Sequence, residues 1–308
     1  MDALQATALL SSALVAAVPL MQAGLGELVT EKSGVLNLGV EGMMLVGAVS
    51  GYAVAVHTGQ PWLGLLAAGL AGTAMAAVFA LLVLNLRANQ VATGLALTLF
   101  GIGLSAYFGK PYTSATLPHA MPVWQVPLLS DLPVLGKAAF SHNPVVYLSV
   151  TLFAAVAWFL YRTRAGLKLR AIGENPQVAH ALGFPVLAAR WCATLFGGAM
   201  AGMAGAYHAV VYLRLWQEQM TSGLGWIALG LVVFATWRPW RLLLGALLFG
   251  SVMSLQFYAQ TAGVPIPVPF LAMLPYLATV TVLVLISRNP ETIRQNAPAS
   301  LGKTFSVS

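Results

Sequence analysis

Trp62–Leu86 reads WLGLLAAGLAGTAMAAVFALLVLNL, 25 residues without a charge. As a helix it rises about 37 Å, enough to cross a hydrocarbon layer of about 30 Å. Its apolar residues are continuous rather than alternating, which argues against a strand of a closed barrel. Eight more runs share this character: Ala6–Leu25 and Leu36–His57 before it, then Val91–Gly109, Val145–Tyr161, Ala188–Tyr212, Gly223–Trp237, Leu242–Gln260 and Phe270–Ser287. The chain is 59% hydrophobic and 7% charged, against about 25% charged in soluble domains. A bilayer accommodates that much apolar surface, and within it only helices or closed barrels satisfy the backbone. The predicted fold class is all-α, a polytopic transmembrane helical bundle of about nine spans.

Lysine and arginine collect on one side of such a bundle. Nine spans with the N-terminus outside place Lys32, Arg87, Arg162, Arg164, Lys168, Arg170, Arg190, Arg238, Arg241, Arg288, Arg294 and Lys303 on the cytoplasmic side, and Lys110, Lys137 and Arg214 outside. Cytoplasmic loops carry such an excess, and removing one middle span would scramble it. The net charge of +7 therefore lies in loops between apolar runs, not on a face that would bind nucleic acid. Residues 1–290 read as a single transmembrane domain, with a proline-rich outer loop at 110–144, a basic inner loop at 162–189 and a flexible cytoplasmic tail at 291–308. In the inner loop, Asn175 and Pro176 open a short run that closes at Gly183, which predicts a small helix on the cytoplasmic face. Met1–Leu20 lacks the basic start of a secretory signal, so a retained first span is expected. Cys192, the sole cysteine, lies inside an apolar run and is expected to be packing.

The stretch from Glu27 to Ala48, ELVTEKSGVLNLGVEGMMLVGA, sets four polar groups among glycines and apolar residues. Glu27, Glu31 and Lys32 suit a charged cytoplasmic turn, or else face a bundle interior, where ionisable groups in membrane helices usually point. Asn37 and Glu41, four apart, are expected on one helix face, with Glu41 deep enough to line or gate a translocation path. Asn89, Gln90, Thr93 and Thr98 open the fourth span, where such groups either bond to a neighbouring helix or line the path. Asn37, Glu41, Asn89 and Thr93 are the path candidates. GGAMAGMAGA at Gly197–Ala206 is a packing seam through Gly198 and Gly202. His208 reads as an interface histidine, since no second ligand stands at metal spacing. LGKT at Leu301–Thr304 imitates a phosphate loop, but Ala297 stands where that loop needs glycine. GLGWIA at Gly223–Ala228 imitates a dinucleotide turn without the preceding strand. No catalytic constellation is evident, so neither a membrane enzyme nor a chain with its own energy source is expected.

Four ordered segments carry a family resemblance: EKSGVLNLGVEGMMLVGA from Glu31, LKLRAIGENPQVAHALGFP from Leu167, AGMAGAYH from Ala201 and GLGWIALGLVVFATWRPWRLLLGALLFG from Gly223. Together they resemble the inner-membrane permeases of bacterial ABC importers for nucleosides and simple sugars, relatives of the ribose and branched-chain amino-acid permeases. The resemblance implies alternating access without a cofactor in this chain, ATP and Mg being bound by a cytoplasmic ATPase with two nucleotide-binding cassettes. It also implies a second homologous permease and an extracytoplasmic solute-binding protein or lipoprotein. Gly173, Glu174, Asn175 and Gly183 mark the segment that resembles the family's ATPase-coupling helix. NLGVEGMM looks nearest to the nucleoside branch, with simple sugars or branched-chain amino acids as alternatives. One departure is Leu224, where the family pattern has arginine. The remaining rival, an ion-coupled transporter, would call for inverted repeats and buried coupling carboxylates, and Glu41 alone is thin support for it.

Overall fold

The computed structural model describes residues 3–127, 130, 135–262, 266–287 and 296–306. Helix α1 (Ala3–Lys32) is followed by α2 (Val40–Thr58), α3 (Pro61–Ala80) with a π-helical end at Leu81–Asn85, and α4 (Gln90–Gly109). The outer loop holds α5 (Leu135–Ala139) and a two-residue antiparallel pair, β1 (Trp124–Gln125) with β2 (Ser141–His142). Then come α6 (Pro144–Arg162), α7 (Arg164–Glu174), α8 (Pro176–Ala181) and α9 (Val186–Ala206), the last continued by a π-helical turn, Tyr207–Tyr212. The chain proceeds through α10 (Leu224–Phe234), α11 (Pro239–Thr261), α12 (Val268–Ala272) and α13 (Leu274–Ser287).

Seven helices among the described residues are long and apolar enough to cross a membrane: Thr7–Lys32, Val40–Thr58, Pro61–Asn85, Gln90–Tyr112, Pro144–Arg162, Val186–Tyr212 and Pro239–Thr261. The two other expected spans are shorter helices, α10 with 11 residues and α13 with 14. The first helix runs on past Leu25 to Lys32, and the second begins at Val40 rather than Leu36. The turn between them is drawn into the bundle, and that moves both boundaries.

Hydrogen bonds mark the two ends of the bundle. At one end Arg190 donates to the Ser33 carbonyl, Trp191 to Asn85, Tyr161 to the Trp237 carbonyl, and Gln90 to the Lys303 carbonyl. At the other, Tyr52 donates to the Ala115 carbonyl and His57 is bonded to Tyr112. Lys32, Arg87, Arg162, Arg164, Lys168, Arg170, Arg190, Arg238, Arg241 and Lys303 gather at or near the first end; Arg288 and Arg294 lie outside the described residues. Residues 296–306, expected within a flexible tail, are packed against this end through Ser300 and Phe305, which are both buried.

Glycine sets the spacing at the centre. Gly198 and Gly202 of α9 face Gly72 of α3, as the packing seam requires, and Gly47 of α2 closes on Gly202 from the other side. A Cβ on Gly202 would collide with the Ala68 carbonyl and come within 3.1 Å of Gly72 Cα. Gly202→Val is therefore expected to force α3 away from α9 and destabilise the fold by about 2 kcal/mol. A thermal-aggregation curve in detergent checks this; a midpoint equal to wild type would show the seam to be loose. Cys192 does not pack inward as expected: it is exposed, on the wall of an apolar groove of about 550 Å³ between α6, α7 and α9.

Candidate solute path and coupling segment

Depth along the bundle can be read from α9. Arg190 near its start meets Ser33 at the end of α1, and Gly205, 15 residues later, packs on the Met44 carbonyl of α2. At 1.5 Å per residue, Met44 stands about 22 Å above Ser33. Glu41, one turn before Met44, thus lies well inside the bundle, and it is buried. The chain reaches that depth because residues 33–39 rise as a non-helical loop beside α1. Gly34 permits the turn with φ +89°, and a Cβ there would sit 2.7 Å from an Arg190 nitrogen. Asn37 accepts from the Gly39 N–H at 2.9 Å, and its own N–H donates to Glu27 at 3.1 Å.

Glu41 holds the start of α10. One carboxylate oxygen accepts from the Thr221 hydroxyl at 2.6 Å and the Gly223 N–H at 2.9 Å; the other accepts from the Gly225 N–H at 2.6 Å. A carboxylate at a helix N-terminus satisfies unpaired N–H groups and complements the helix dipole. A Cβ on Gly225 would lie 2.6 Å from Glu41 Cα, so only glycine lets the carboxylate reach. At its other end α10 returns to α1, where the Trp237 indole donates to Glu31. Here α10 is a half-helix between two glutamates.

Two expectations need correction. Asn37 and Glu41 do not share a helix face, because Asn37 precedes α2 and its side chain closes a local turn onto the Gly39 N–H. Glu27, Glu31 and Lys32 do not form an exposed turn: all three are buried, the glutamates only 1% exposed, because α1 continues past them. The other two path candidates, Asn89 and Thr93, lie at the start of α4. Asn89 is exposed and caps α4 through the Ala92 N–H, and Thr93, one turn on, is half-buried. Gly94, Leu97 and Thr98 make the α4 contact with the rising loop, Thr98 donating to the Leu38 carbonyl at 3.0 Å.

Beside the opening of α10 lies a cavity of about 410 Å³ whose walls include His208, Tyr212, Gln217, Thr221, Gln256 and Tyr276. Helices α10, α11 and α13 form part of its wall, and irregular backbone forms the rest. Tyr207–Tyr212 is π-helical, a local winding often found at functional sites. Arg214, Gln219 and Ser222 have positive φ of 56°, 53° and 44°, strained for non-glycine residues. His208 stacks on Tyr212, and one of its ring nitrogens, the buried Nδ1, has no hydrogen-bond partner among the described residues. Thr221 belongs to both features, lining the cavity and donating to Glu41. Leu224, the departure from the family pattern, is buried on the same wall.

At the basic end, Gly173 closes on the Lys32 carbonyl, and Glu174 ends α7. Asn175 caps α8 by accepting from the Val178 N–H at 3.1 Å, and Gly183 leaves the helix with φ +81°. The small helix expected between Asn175 and Gly183 is present, preceded by α7, which the sequence did not suggest. Val178 and Leu182 are 54% and 68% exposed.

The model of the family described as branched-chain amino acid transport system / permease component matches residues 9–286. The chain belongs to that family. This permease is similar over nearly its whole length to ABC transporter permeases. TsgC13 of Haloferax volcanii, a putative glucose ABC transporter permease, is 40% identical over 97% of this chain and 98% of its own. NupC of Lactococcus lactis, a nucleoside ABC transporter permease, is 33% identical over 90% and 91%. NupQ of Bacillus subtilis, a guanosine ABC transporter permease, is 33% identical over 92% and 93%. No solved structure gives a significant match. The permease is thus a multi-pass membrane protein and a transport subunit rather than an enzyme.

Sequence reasoning singled out Glu41 but missed the permease's cavity. Gln217, Gln256 and Tyr276 come from three separate segments and share no spacing. The available signals were the charged and amide residues of RLWQEQMTSG, Arg214–Gly223, interrupting an apolar half of the chain, and the shortness of the following run.

Proposed function

We propose that this permease is the membrane-spanning subunit of an ATP-driven importer that moves nucleosides or related neutral ring-bearing solutes by alternating access. The observation that carries the reading is the half-helix α10, which opens inside the bundle on a largely apolar cavity whose walls include four rings and two side-chain amides. Its volume is typical of small-molecule sites, aromatic faces suit stacking on a base, and amides suit a neutral polar solute. The identity to a putative glucose permease favours simple sugars as the second reading. Glu41 and Asn37 hold the gate, one by capping α10 and the other by fixing the turn that precedes α2. Asn89 and Thr93 are assigned to the mouth of the path at the basic end, which is the cytoplasmic one; that orientation keeps the N-terminus outside in the cell's inner (plasma) membrane.

The segment from Gly173 to Gly183 is the docking surface for an ATPase with two nucleotide-binding cassettes, which holds ATP and Mg. A second homologous permease completes the path, and a solute-binding protein or lipoprotein delivers solute from outside. Val178 and Leu182 offer an apolar contact flanked by Glu174 and Asn175. Uptake of labelled guanosine, with glucose and ribose as competitors, in cells with and without this subunit tests the solute. Loss on deletion and restoration by wild type support the nucleoside reading, whereas competition by glucose alone moves the assignment to sugars. Val178→Asp with Leu182→Asp, both exposed, is expected to leave the subunit folded, release the ATPase on purification and stop uptake. Retained ATPase and undiminished uptake would remove the docking role.

A further inference from the structure

Residues 296–306 bind the coupling helices to the transmembrane core. Ser300 is 4% exposed, and both its N–H, at 3.0 Å, and its hydroxyl, at 2.7 Å, donate to the Gly173 carbonyl at the end of α7. Arg190 of α9 donates to the Ser300 hydroxyl oxygen at 3.0 Å while its Nε holds the Ser33 carbonyl. One side chain therefore joins α9, the rising loop and the tail. Ahead of this point, Lys32 donates to the Asn296 carbonyl at 2.9 Å and Arg238 to the Asn296 side chain at 3.2 Å, which ties in α1 and the start of α11. Beyond it the chain turns at Gly302, with φ +74°, and Gln90 of α4 donates to the Lys303 carbonyl at 3.4 Å. The LGKT sequence that imitates a phosphate loop is this bend.

Phe305 completes the connection. It is 6% exposed, packed with Ile172 of α7, Ala179 of α8 and Val186 of α9, with the His180 ring 5.8 Å from its own. Gln177 donates to the Ser306 carbonyl at 3.2 Å. A helix of six residues, as α8 is, has no stability of its own and depends on the apolar surface it covers. For α8 that surface includes the Phe305 ring.

We propose that residues 296–306 act as a strap that fixes α7 and α8 to α1 and α9, and that Ser300 and Phe305 are positioning residues through which movement of the docked helices reaches the loop below Glu41. The coupling role rests on the importer reading given above; the holding role does not. Two measurements separate them. In the purified full-length permease, Phe305→Ala is expected to raise amide hydrogen exchange at residues 176–184 by about tenfold over wild type, and Phe305→Leu to restore most of the protection. In the assembled importer in vesicles, Phe305→Ala is expected to lower the solute imported per ATP hydrolysed by roughly two- to thirtyfold, the range for residues along a coupling path. A merely structural loss would lower both quantities together and leave their ratio unchanged. Ser300→Ala, which removes hydrogen bonds but no volume from the apolar cluster, carries the same readouts if Phe305→Ala does not purify. Unchanged exchange at 176–184 in both variants would overturn the strap. Raised exchange with an unchanged solute-to-ATP ratio would overturn the positioning role. A wild-type assembly that hydrolyses ATP without importing solute would overturn the importer reading, leaving the exchange result to judge the strap.

Discussion

Glu41→Ala is expected to abolish solute uptake and to destabilise the permease by about 3 kcal/mol, roughly 1 kcal/mol for each buried donor left without its acceptor. Those donors are the Thr221 hydroxyl and the Gly223 and Gly225 N–H groups, all within 2.9 Å of the carboxylate. Functional loss follows because Thr221 also lines the cavity, so a displaced α10 start changes the solute wall directly. Glu41→Gln keeps one acceptor oxygen but turns an NH2 group toward a donor, and an intermediate uptake is expected. Glu41→Asp is one methylene shorter and should fail nearly as completely as alanine. Uptake together with a thermal-unfolding midpoint in detergent checks the series. Alanine behaving as wild type in both would show that α10 needs no cap from α2.

The second large effect is expected at Arg190. Its side chain is 0% exposed, spans the Ser33 carbonyl and the Ser300 hydroxyl at 3.0 Å each, and has Gly34 against its guanidinium. Arg190→Ala leaves a void and unpaired acceptors at once, a cost of about 3 kcal/mol or more. Arg190→Lys offers a point charge where a planar fork bridges two partners, so it should recover little. Proteolysis or hydrogen exchange across residues 33–39 measures the loosening. An alanine variant as protected there as wild type would mean that the loop holds its shape through Gln90, Thr98 and Glu27 alone.

Much of the architecture was legible because lipid imposes one rule on every segment: long apolar runs become helices. Trp62–Leu86 illustrates this, since its helix and π-helical end fall within a residue or two of the run. The two ends of the bundle were legible for a related reason, because charge cannot sit in hydrocarbon. Where the chain pays polar groups with internal partners, that logic fails. Glu27 and Glu31 look like a surface turn in the sequence, yet the Asn37 N–H, held near by the rising loop, bonds Glu27, and the indole of Trp237, 206 residues on, bonds Glu31. Glu41 was recognised as unusual for its depth, but its partners lie about 180 residues away. The Asn175–Gly183 segment was legible because its cap, proline and closing glycine are local signals. The tail was not: nothing near Ser300 or Phe305 announces that Gly173, Arg190 and Ala179 await them. The departure at Leu224 falls on the cavity wall and leaves the glycine seam untouched.

The brevity of α10 also bears on how the protein is made. Eleven apolar residues are too few to span the bilayer and stop in it unaided. During synthesis the carboxylate that anchors this segment emerges 180 residues ahead of Thr221, so α2 is already in the bilayer when α10 leaves the ribosome. Insertion of the second half of the chain thus depends on the first being in place to receive it. The two halves expressed as separate fragments should integrate together only when the N-terminal one precedes or accompanies the other.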